Sequence, residues 1–223
     1  MCWTHDDWAA FGSVLSGAGT ILGAGAMLAA AIIGSRTFDS WRRQKLSERL
    51  IEQAERILTA TYKVRRSLSI VRNPMMFPHE IAAAEESLKA SGEWNKITGG
   101  EDERRRHQFT QAYYNRLNTT VDSRRTLQEC QPMARALFGE ALEQAIEILN
   151  HQFWMVKVSV DAHHSGQDKY GEEIQKEISG ALYEGYPSPE KNKMNKLIAE
   201  QIKIIEDICV PVLQLEGDKK NRS

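Results

Sequence analysis

The sequence predicts an all-α protein in which one N-terminal transmembrane helix continues into a cytoplasmic helical bundle. Residues 11–34 contain no ionisable side chain, although 26% of the 223 residues are Asp, Glu, Lys or Arg. From residue 35 onwards, apolar side chains recur every three or four positions, which is the period of an amphipathic helix. Segments rich in Gly, Pro and Ser separate the helical patterns, as at residues 73–78 and 185–192.

The run Phe11–Gly34 has the length of a single membrane crossing. As a helix, its 24 residues extend about 36 Å, which suits a hydrocarbon core of about 30 Å. Asp6 and Asp7 precede the run and basic residues follow it, so the positive-inside bias places the N-terminus outside and most of the chain in the cytoplasm. Two alternatives remain: a cleaved signal peptide, against which the acidic N-terminus argues, and a helix buried in a soluble bundle. The residues expected at the lipid headgroups are Arg36, Arg42, Arg43 and Lys45.

Small residues form one stripe along the predicted membrane helix. Spacings of four and three place them on one helix face, and the stripe includes Gly19 and Gly23 in a Gly-xxx-Gly arrangement. Since lipid provides no hydrophobic drive between helices, close contact through small residues is how membrane helices associate. We therefore expect copies of the chain to self-associate; the alternative is that Gly and Ala are simply common in membrane helices. The stripe consists of Gly12, Ser16, Gly19, Gly23, Ala26 and Ala30.

The first helix is predicted to continue from the membrane segment to Asn73-Pro74, because the residue before a proline disfavours the helical conformation. A short helix at 79–90 and a flexible connection at 91–102 follow. A third helix is predicted over 101–130, with Pro132 as its boundary. The apolar face of the first helix comprises Leu50, Ala54, Ile57, Thr61 and Val64, widened by Ile51, Leu58 and Tyr62.

The clearest helical pattern runs from Phe138 to Val160, where apolar residues alternate at spacings of four and three. Its end, WMVKVSV at 154–160, also fits a strand by its β-branched residues, but the continuous heptad register favours a helix. Further helices are predicted at 171–184 and 189–210, the last one ended by Pro211. Its inward residues are Met194, Ile198, Ile202, Ile205 and Ile208.

These patterns divide the chain into four predicted parts. They are a short extracytoplasmic N-terminus at 1–10, a transmembrane helix at 11–34, a cytoplasmic helical domain at 35–214 and a disordered tail at 215–223.

Composition and motifs argue against several functional classes. A formal net charge of −1 gives no bulk electrostatic case for a nucleic-acid binder. Three cysteines are too few for a disulfide framework, and Cys130 and Cys209 fit small buried residues. No nucleophile motif or phosphate-binding loop occurs. We therefore expect no enzymatic activity, no catalytic residue, no cofactor and no small-molecule substrate.

A metal site is one interpretation of three neighbouring side chains, Asp161, His163 and His164. Adjacent histidines on a helix point about 100° apart, so they do not readily share one ion. We expect no bound metal and a pair of exposed or capping histidines at a helix end.

Basic residues beyond the membrane surface have two interpretations. Between Arg36 and Arg72 the sequence has ten Lys or Arg against four Asp or Glu. A solvated helix face with neighbouring carboxylates, such as Glu101 and Glu103, accounts for such runs. The alternative is a phosphate-rich partner, including nucleic acid held by a companion protein. The candidate partner contacts are Arg65, Arg66, Arg72, Arg104, Arg105, Arg106, Arg124 and Arg125.

Three sequence blocks resemble a set of small bacterial single-pass membrane proteins, some of which lie in anti-phage loci. The blocks are FGSVLSGAGT at 11–20, SWRRQK at 40–45 and SIVRNP at 69–74. In size and layout the chain is similar to a transmembrane effector of a retron-type defence system. The resemblance implies a toxic protein of the bacterial inner membrane, silenced by a reverse transcriptase with its RNA–DNA product and released upon infection. A non-toxic membrane-anchored scaffold or sensor that recruits cytoplasmic partners is the alternative.

Overall fold

The computed structural model is all-α in the residues that it describes, 5–166 and 169–220, which confirms the predicted class. Within the helices, the side chains of residues 5–15, 18, 19, 21 and 215–220 lie outside this description. A 3₁₀ turn, Glu93–Lys96, lies in the predicted flexible connection. The α-helices are α1 (His5–Val71), α2 (Pro78–Ala90), α3 (Glu101–Thr119), α4 (Val121–Phe138), α5 (Glu140–His164), α6 (Glu172–Leu182) and α7 (Lys193–Lys220).

The chain divides into two units, Met1–Arg49 and Leu50–Ser223. The first unit contains the N-terminal part of α1, and its described side chains are exposed. Among the described residues, no helix combines the length and the apolar character needed to cross a membrane. The second unit contains the rest of α1 with α2–α7, and it holds the hydrophobic core.

The core of the second unit is built around α5, which packs against α3, α4, α6 and α7. The heptad positions of α5 are buried, and the helix continues through residues 154–160, so the strand alternative for that segment is wrong. Phe138, the first predicted position of this helix, instead ends α4 and is partly buried. The buried heptad residues are Leu142, Ala145, Leu149, Phe153, Val156 and Val160.

The C-terminal part of α1 contributes another side of this core. Its predicted face is confirmed from Ala54 to Val64 and extends to Leu68 and Val71, all of them buried. Tyr62 is an exception, because it is exposed and donates its hydroxyl to Glu206 Oε1 at 2.7 Å. α1 ends at Val71, so the predicted stop before Pro74 is confirmed.

The predicted helix over 101–130 is in fact divided into α3 and α4 at Thr120. The hydroxyls of Thr119 and Thr120 donate to the carbonyl oxygens of Arg116 and Leu117, each at 2.7 Å. Such bonds offer the backbone a local alternative to the continuing helix. Sequence periodicity did not reveal the break because both helices place apolar residues toward the same core.

Two prolines predicted to end helices lie inside them instead. Pro132 is exposed within α4, between the buried Cys130 and Ala134. Pro211 is exposed within α7, which extends to Lys220, while Val210 and Val212 pack against the core. Burial of the neighbouring residues offsets the hydrogen bond that each proline lacks. Residues 221–223 of the predicted tail lie outside the described residues.

An ion pair between the buried Arg116 and the partly buried Glu80 holds the segment between α1 and α2 in place. Arg116 on α3 donates from Nε and Nη2 to Glu80 Oε1 and Oε2 at 2.6 and 2.8 Å. Its Nη1 and Nη2 also donate to the carbonyl oxygens of Asn73 and Met75, both at 2.6 Å. The hydrogen bonds from Arg116 are the largest cause that holds the pKa of Glu80 below its ordinary value of 4.5.

We expect this ion pair to make stability depend on pH. Folding lowers the pKa of Glu80 from its ordinary value of 4.5. The ion pair therefore contributes its full amount to the free energy of unfolding above pH 4.5, and this contribution is lost as the pH falls below that value. Glu80→Gln should lower the free energy of unfolding by about 2 kcal/mol at neutral pH. Urea unfolding in detergent solution, followed by circular dichroism, should show this difference shrinking between about pH 5 and pH 3.

The control for this prediction is Glu86→Gln, because Glu86 lies exposed on the same helix. That variant should unfold like the wild type at every pH. A difference between wild type and Glu80→Gln that stays constant across the acidic range would contradict the prediction.

Candidate functional site

The N-terminal unit exposes a large apolar surface. The five large apolar side chains from Leu22 to Ile33 are each more than half exposed. Isolated exposed apolar residues are common, but a continuous apolar helix surface is unfavourable in water and marks a contact with lipid or with another chain. The exposed residues are Leu22, Met27, Leu28, Ile32 and Ile33.

The predicted small-residue stripe lies on this helix. Ser16, Gly23, Ala26 and Ala30 are exposed, whereas Gly12 and Gly19 lie outside the described side chains. A Cβ atom added at Gly23 would meet no atom within 4 Å, and the same holds for Gly17 and Gly25, which face the opposite side. The chain's own packing therefore does not require glycine at position 23.

The four predicted headgroup contacts, Arg36, Arg42, Arg43 and Lys45, are all exposed beyond the apolar surface. Lys45 pairs with Glu48 at 2.7 Å. Phe38 and Trp41 lie among these residues, with ring centroids 5.9 Å apart, and both are exposed. Aromatic and basic side chains next to an apolar helix are typical of a membrane–water interface.

The eight arginines predicted as partner contacts lie in different environments. Arg65, Arg66 and Arg106 are exposed, and Arg65 lines a cavity of about 340 Å³ between α1 and α7. The others contact side chains or carbonyl groups of their own unit. Arg104 lies over Trp94, Arg105 pairs with Glu101 at 2.6 Å, Arg124 lies over Phe153, and Arg125 is 3.8 Å from Asp122.

Arg72 differs from the other predicted contacts because it is 1% exposed. Its Nε and Nη2 donate to the carbonyl oxygens of Ala181 and Gly180, at 2.8 and 2.9 Å, in the last turn of α6. Its Nη1 donates to Asn195 Oδ1 at 2.7 Å, and Nη2 also reaches Asn192 Oδ1 at 3.2 Å. Burial lowers the pKa of Arg72 to about 10, so the guanidinium stays charged at neutral pH.

The partners of Arg72 explain how a buried cation is accommodated. The carbonyl groups at a helix C-terminus carry partial negative charge, and α6 directs its last ones at the guanidinium. Arg72 is therefore a cap that joins the end of α1 to α6 and α7, and it offers no surface to a partner. The residues next to Arg72 in the sequence do not indicate this capping role, because its acceptors lie more than a hundred residues away along the chain.

We expect Arg72→Met to destabilise the second unit strongly. The substitution removes the Arg72 donors from the Ala181 carbonyl oxygen and from Asn195 Oδ1, which should cost about 3 kcal/mol in the free energy of unfolding. Arg66→Met, on the exposed side of the same helix, is the matched control and should change stability little. Thermal unfolding followed by circular dichroism measures both, and equal melting temperatures would contradict the capping role.

His164 of α5 and His107 of α3 line a second cavity, of about 330 Å³. His164 Nδ1 lies 3.0 Å from Thr110 Oγ1, and its ring meets His107 edge-on at 4.6 Å. The ring of His163 packs against Phe109 at 4.9 Å. Burial is the largest cause that lowers the pKa of His163 and of His164, which favours their neutral forms. His107 was not singled out from sequence, since the two helices are far apart along the chain.

Asp161 lines the same cavity and has two partners. The Tyr114 hydroxyl donates to its Oδ1, and Lys157 donates to its Oδ2 at 3.0 Å. Although burial opposes ionisation, these bonds hold the pKa of Asp161 below its ordinary value. Burial and the bond to Asp161 raise the pKa of Tyr114 to about 12. Within the described residues, no three His, Cys, Asp or Glu side chains are placed to hold a metal ion.

Comparison of the chain with protein-family models, with curated proteins and with solved structures gives no match. A proposal for function therefore rests on the chain's own residues and on the sequence resemblance described above.

Proposed function

We propose that the protein is a membrane-anchored effector of bacterial anti-phage defence. In this proposal, residues 11–34 enter the inner membrane, copies of the chain associate through the small-residue stripe, and the assembly disrupts the membrane once a partner complex releases it. The observation that carries the proposal is the exposed apolar surface of α1 within a run that has no ionisable side chain.

Membrane insertion is supported by the whole run Phe11–Gly34 rather than by its described part alone. Eight of these residues lie outside the described side chains, and they include Phe11, Val14, Leu15 and Ile21. Transfer of such side chains from water to hydrocarbon is favourable. The exposed basic and aromatic residues from Arg36 to Lys45 would then meet headgroups on the cytoplasmic side.

Release by a partner is the part of the proposal that depends on the sequence resemblance. A reverse transcriptase with its RNA–DNA product would present many phosphates, to which guanidinium groups bind well. Arg72 is buried and not available for such contacts. The exposed arginines among the eight predicted contacts are Arg65, Arg66, Arg104, Arg105, Arg106 and Arg125.

We expect Gly23→Leu to abolish membrane damage and Gly25→Leu to preserve it. Both variants add the same side chain in open space, so they change the hydropathy of the segment equally. Only Gly23 lies on the stripe, where leucine separates the helix backbones and should weaken association by about tenfold. The measurement is the membrane potential of bacteria that express each variant, read with a potential-sensitive dye, together with membrane fractionation.

Each outcome of this experiment bears on a different part of the proposal. Equal damage by both variants would show that the stripe does not mediate association. Harmless accumulation of the wild-type chain in membranes would favour the scaffold or sensor. Recovery of the intact chain as a monomer without detergent would refute membrane insertion itself.

A further inference from the structure

Three histidines lie where the N-terminal half of α3 meets the C-terminal end of α5. The ring of His107 meets the ring of His164 edge-on, with a centroid distance of 4.6 Å. The ring of His163 packs against Phe109 at 4.9 Å, and His164 Nδ1 lies 3.0 Å from Thr110 Oγ1. We call these five residues, His107, Phe109, Thr110, His163 and His164, the histidine joint.

The N-terminal half of α3 has few buried side chains of its own. Among residues 101–111, Thr110 alone is buried, whereas the second half of the helix buries Tyr113 and Leu117 in the core. The three histidines of the joint are each partly exposed, so water and protons reach their rings. Contacts across the joint therefore largely decide whether residues 101–111 stay on α5.

Several features of the joint oppose a positive charge on its histidines. Burial is the largest of them for His163 and for His164. His107 and Arg106 of α3 also disfavour a proton on His164, and His164 disfavours one on His163. The last carbonyl groups of α5 would favour a cation, but they already accept hydrogen bonds from the N–H groups of the following residues.

Three carboxylates near His164 offset only part of such a charge. Asp161 favours a proton on His164, but both of its oxygens already accept hydrogen bonds from other side chains. Glu93, which lines the same cavity, pairs with Lys96 at 2.6 Å. Glu103 of α3 is the third, and it also favours a proton on His164. The side chains that bond to Asp161 are Tyr114 and Lys157.

We propose that the histidine joint is an acid-sensitive switch, which releases residues 101–111 from α5 when its histidines are protonated and leaves the rest of the second unit folded. Two imidazolium rings in contact repel each other, and a charged ring is costly to keep away from water. The Thr110 hydroxyl can donate to His164 Nδ1 only while that nitrogen carries no proton. Tyr113 and Leu117 hold the second half of α3 in the core throughout.

The direction of the response follows from the histidines themselves. Folding lowers the pKa of His163 and of His164 below the ordinary value of 6.5, so the open joint binds more protons than the closed one. The stability of the joint is therefore complete above pH 6.5 and is lost as the pH falls below that value. The ratio of open to closed joint should rise by up to about tenfold per pH unit for each histidine.

This response is separable from the other properties of the chain. It begins at a higher pH than the loss of the Glu80 ion pair, which follows an ordinary pKa of 4.5. The joint lies within the unit Leu50–Ser223, so the proposal does not depend on membrane insertion of α1.

The distance between two spin labels on the full chain in detergent solution tests the proposal. Cys2 is replaced by serine, while Cys130 and Cys209 are buried and remain. Labels at Asp102→Cys and Gln128→Cys, both exposed, join the first half of α3 to α4. Samples diluted with unlabelled chain are frozen at about pH 7.5 and about pH 5 and measured by double electron–electron resonance. The distance distribution should be narrow at the higher pH and broad at the lower.

The matched control pairs Gln128→Cys with Asn118→Cys, an exposed position in the second half of α3. Its distribution should be the same at both pH values. Broadening of both pairs together would indicate general acid unfolding and overturn the proposal. An Asp102–Gln128 distribution that stays narrow at about pH 5 would overturn it as well.

Two variants assign the response to the histidines. His107→Gln/His163→Gln/His164→Gln should keep the distribution narrow at both pH values, whereas His151→Gln, on the exposed side of α5, should respond like the wild type. Circular dichroism checks that each variant is folded. An acid response retained by the folded triple variant would contradict the proposal.

Glu103→Gln keeps all three rings and tests the proposal even if the triple variant does not fold. Loss of this carboxylate makes a proton on His164 more costly in the closed joint, so opening should begin at a higher pH than in the wild type. A midpoint of opening that is unchanged or lower would show that charge on the histidines does not control the joint.

Discussion

Burial of the inward face of α5 positions most of the second unit, because α3, α4, α6 and α7 all pack against this one helix. Its heptad residues are buried from Leu142 to Val160, so each neighbouring helix gains apolar contacts only in one orientation. The C-terminal part of α1 adds its own apolar face to the same core. The cavity that His164 lines lies where α3 meets the C-terminal end of α5.

Two buried arginines fix the position of the segment that follows α1, which apolar packing alone does not specify. Arg116 holds the chain just after α1 through Asn73, Met75 and Glu80, and Arg72 ties the end of α1 to α6 and α7. Each donates hydrogen bonds to two backbone carbonyl oxygens, those of Asn73 and Met75 for Arg116 and those of Gly180 and Ala181 for Arg72. The irregular segment after α1 is therefore fixed by directional bonds, and its position is more sensitive to single substitutions than a hydrophobic contact would be.

Helical periodicity was sufficient to predict α5, α7 and the C-terminal part of α1, because one side of each is buried over many turns. It failed at Thr120, Pro132 and Pro211. At Thr120 the local hydroxyl hydrogen bonds end the helix, whereas α4 and α7 continue through Pro132 and Pro211 because the residues beside these prolines pack in or against the core. The histidine cavity and the Arg72 cap join residues that are distant in sequence, so no local pattern could reveal them.

The connection between α4 and α5 consists of Gly139 alone, whose φ of 98° suits glycine and is strained for other residues. A helical hairpin with so short a connection makes contacts that are close in sequence, and such contacts form quickly because little chain entropy is lost in closing the loop. Residues 121–164 precede α6 and α7 in the chain and emerge from the ribosome before them, so the two helices of this hairpin can pack on each other before α6 and α7 are available.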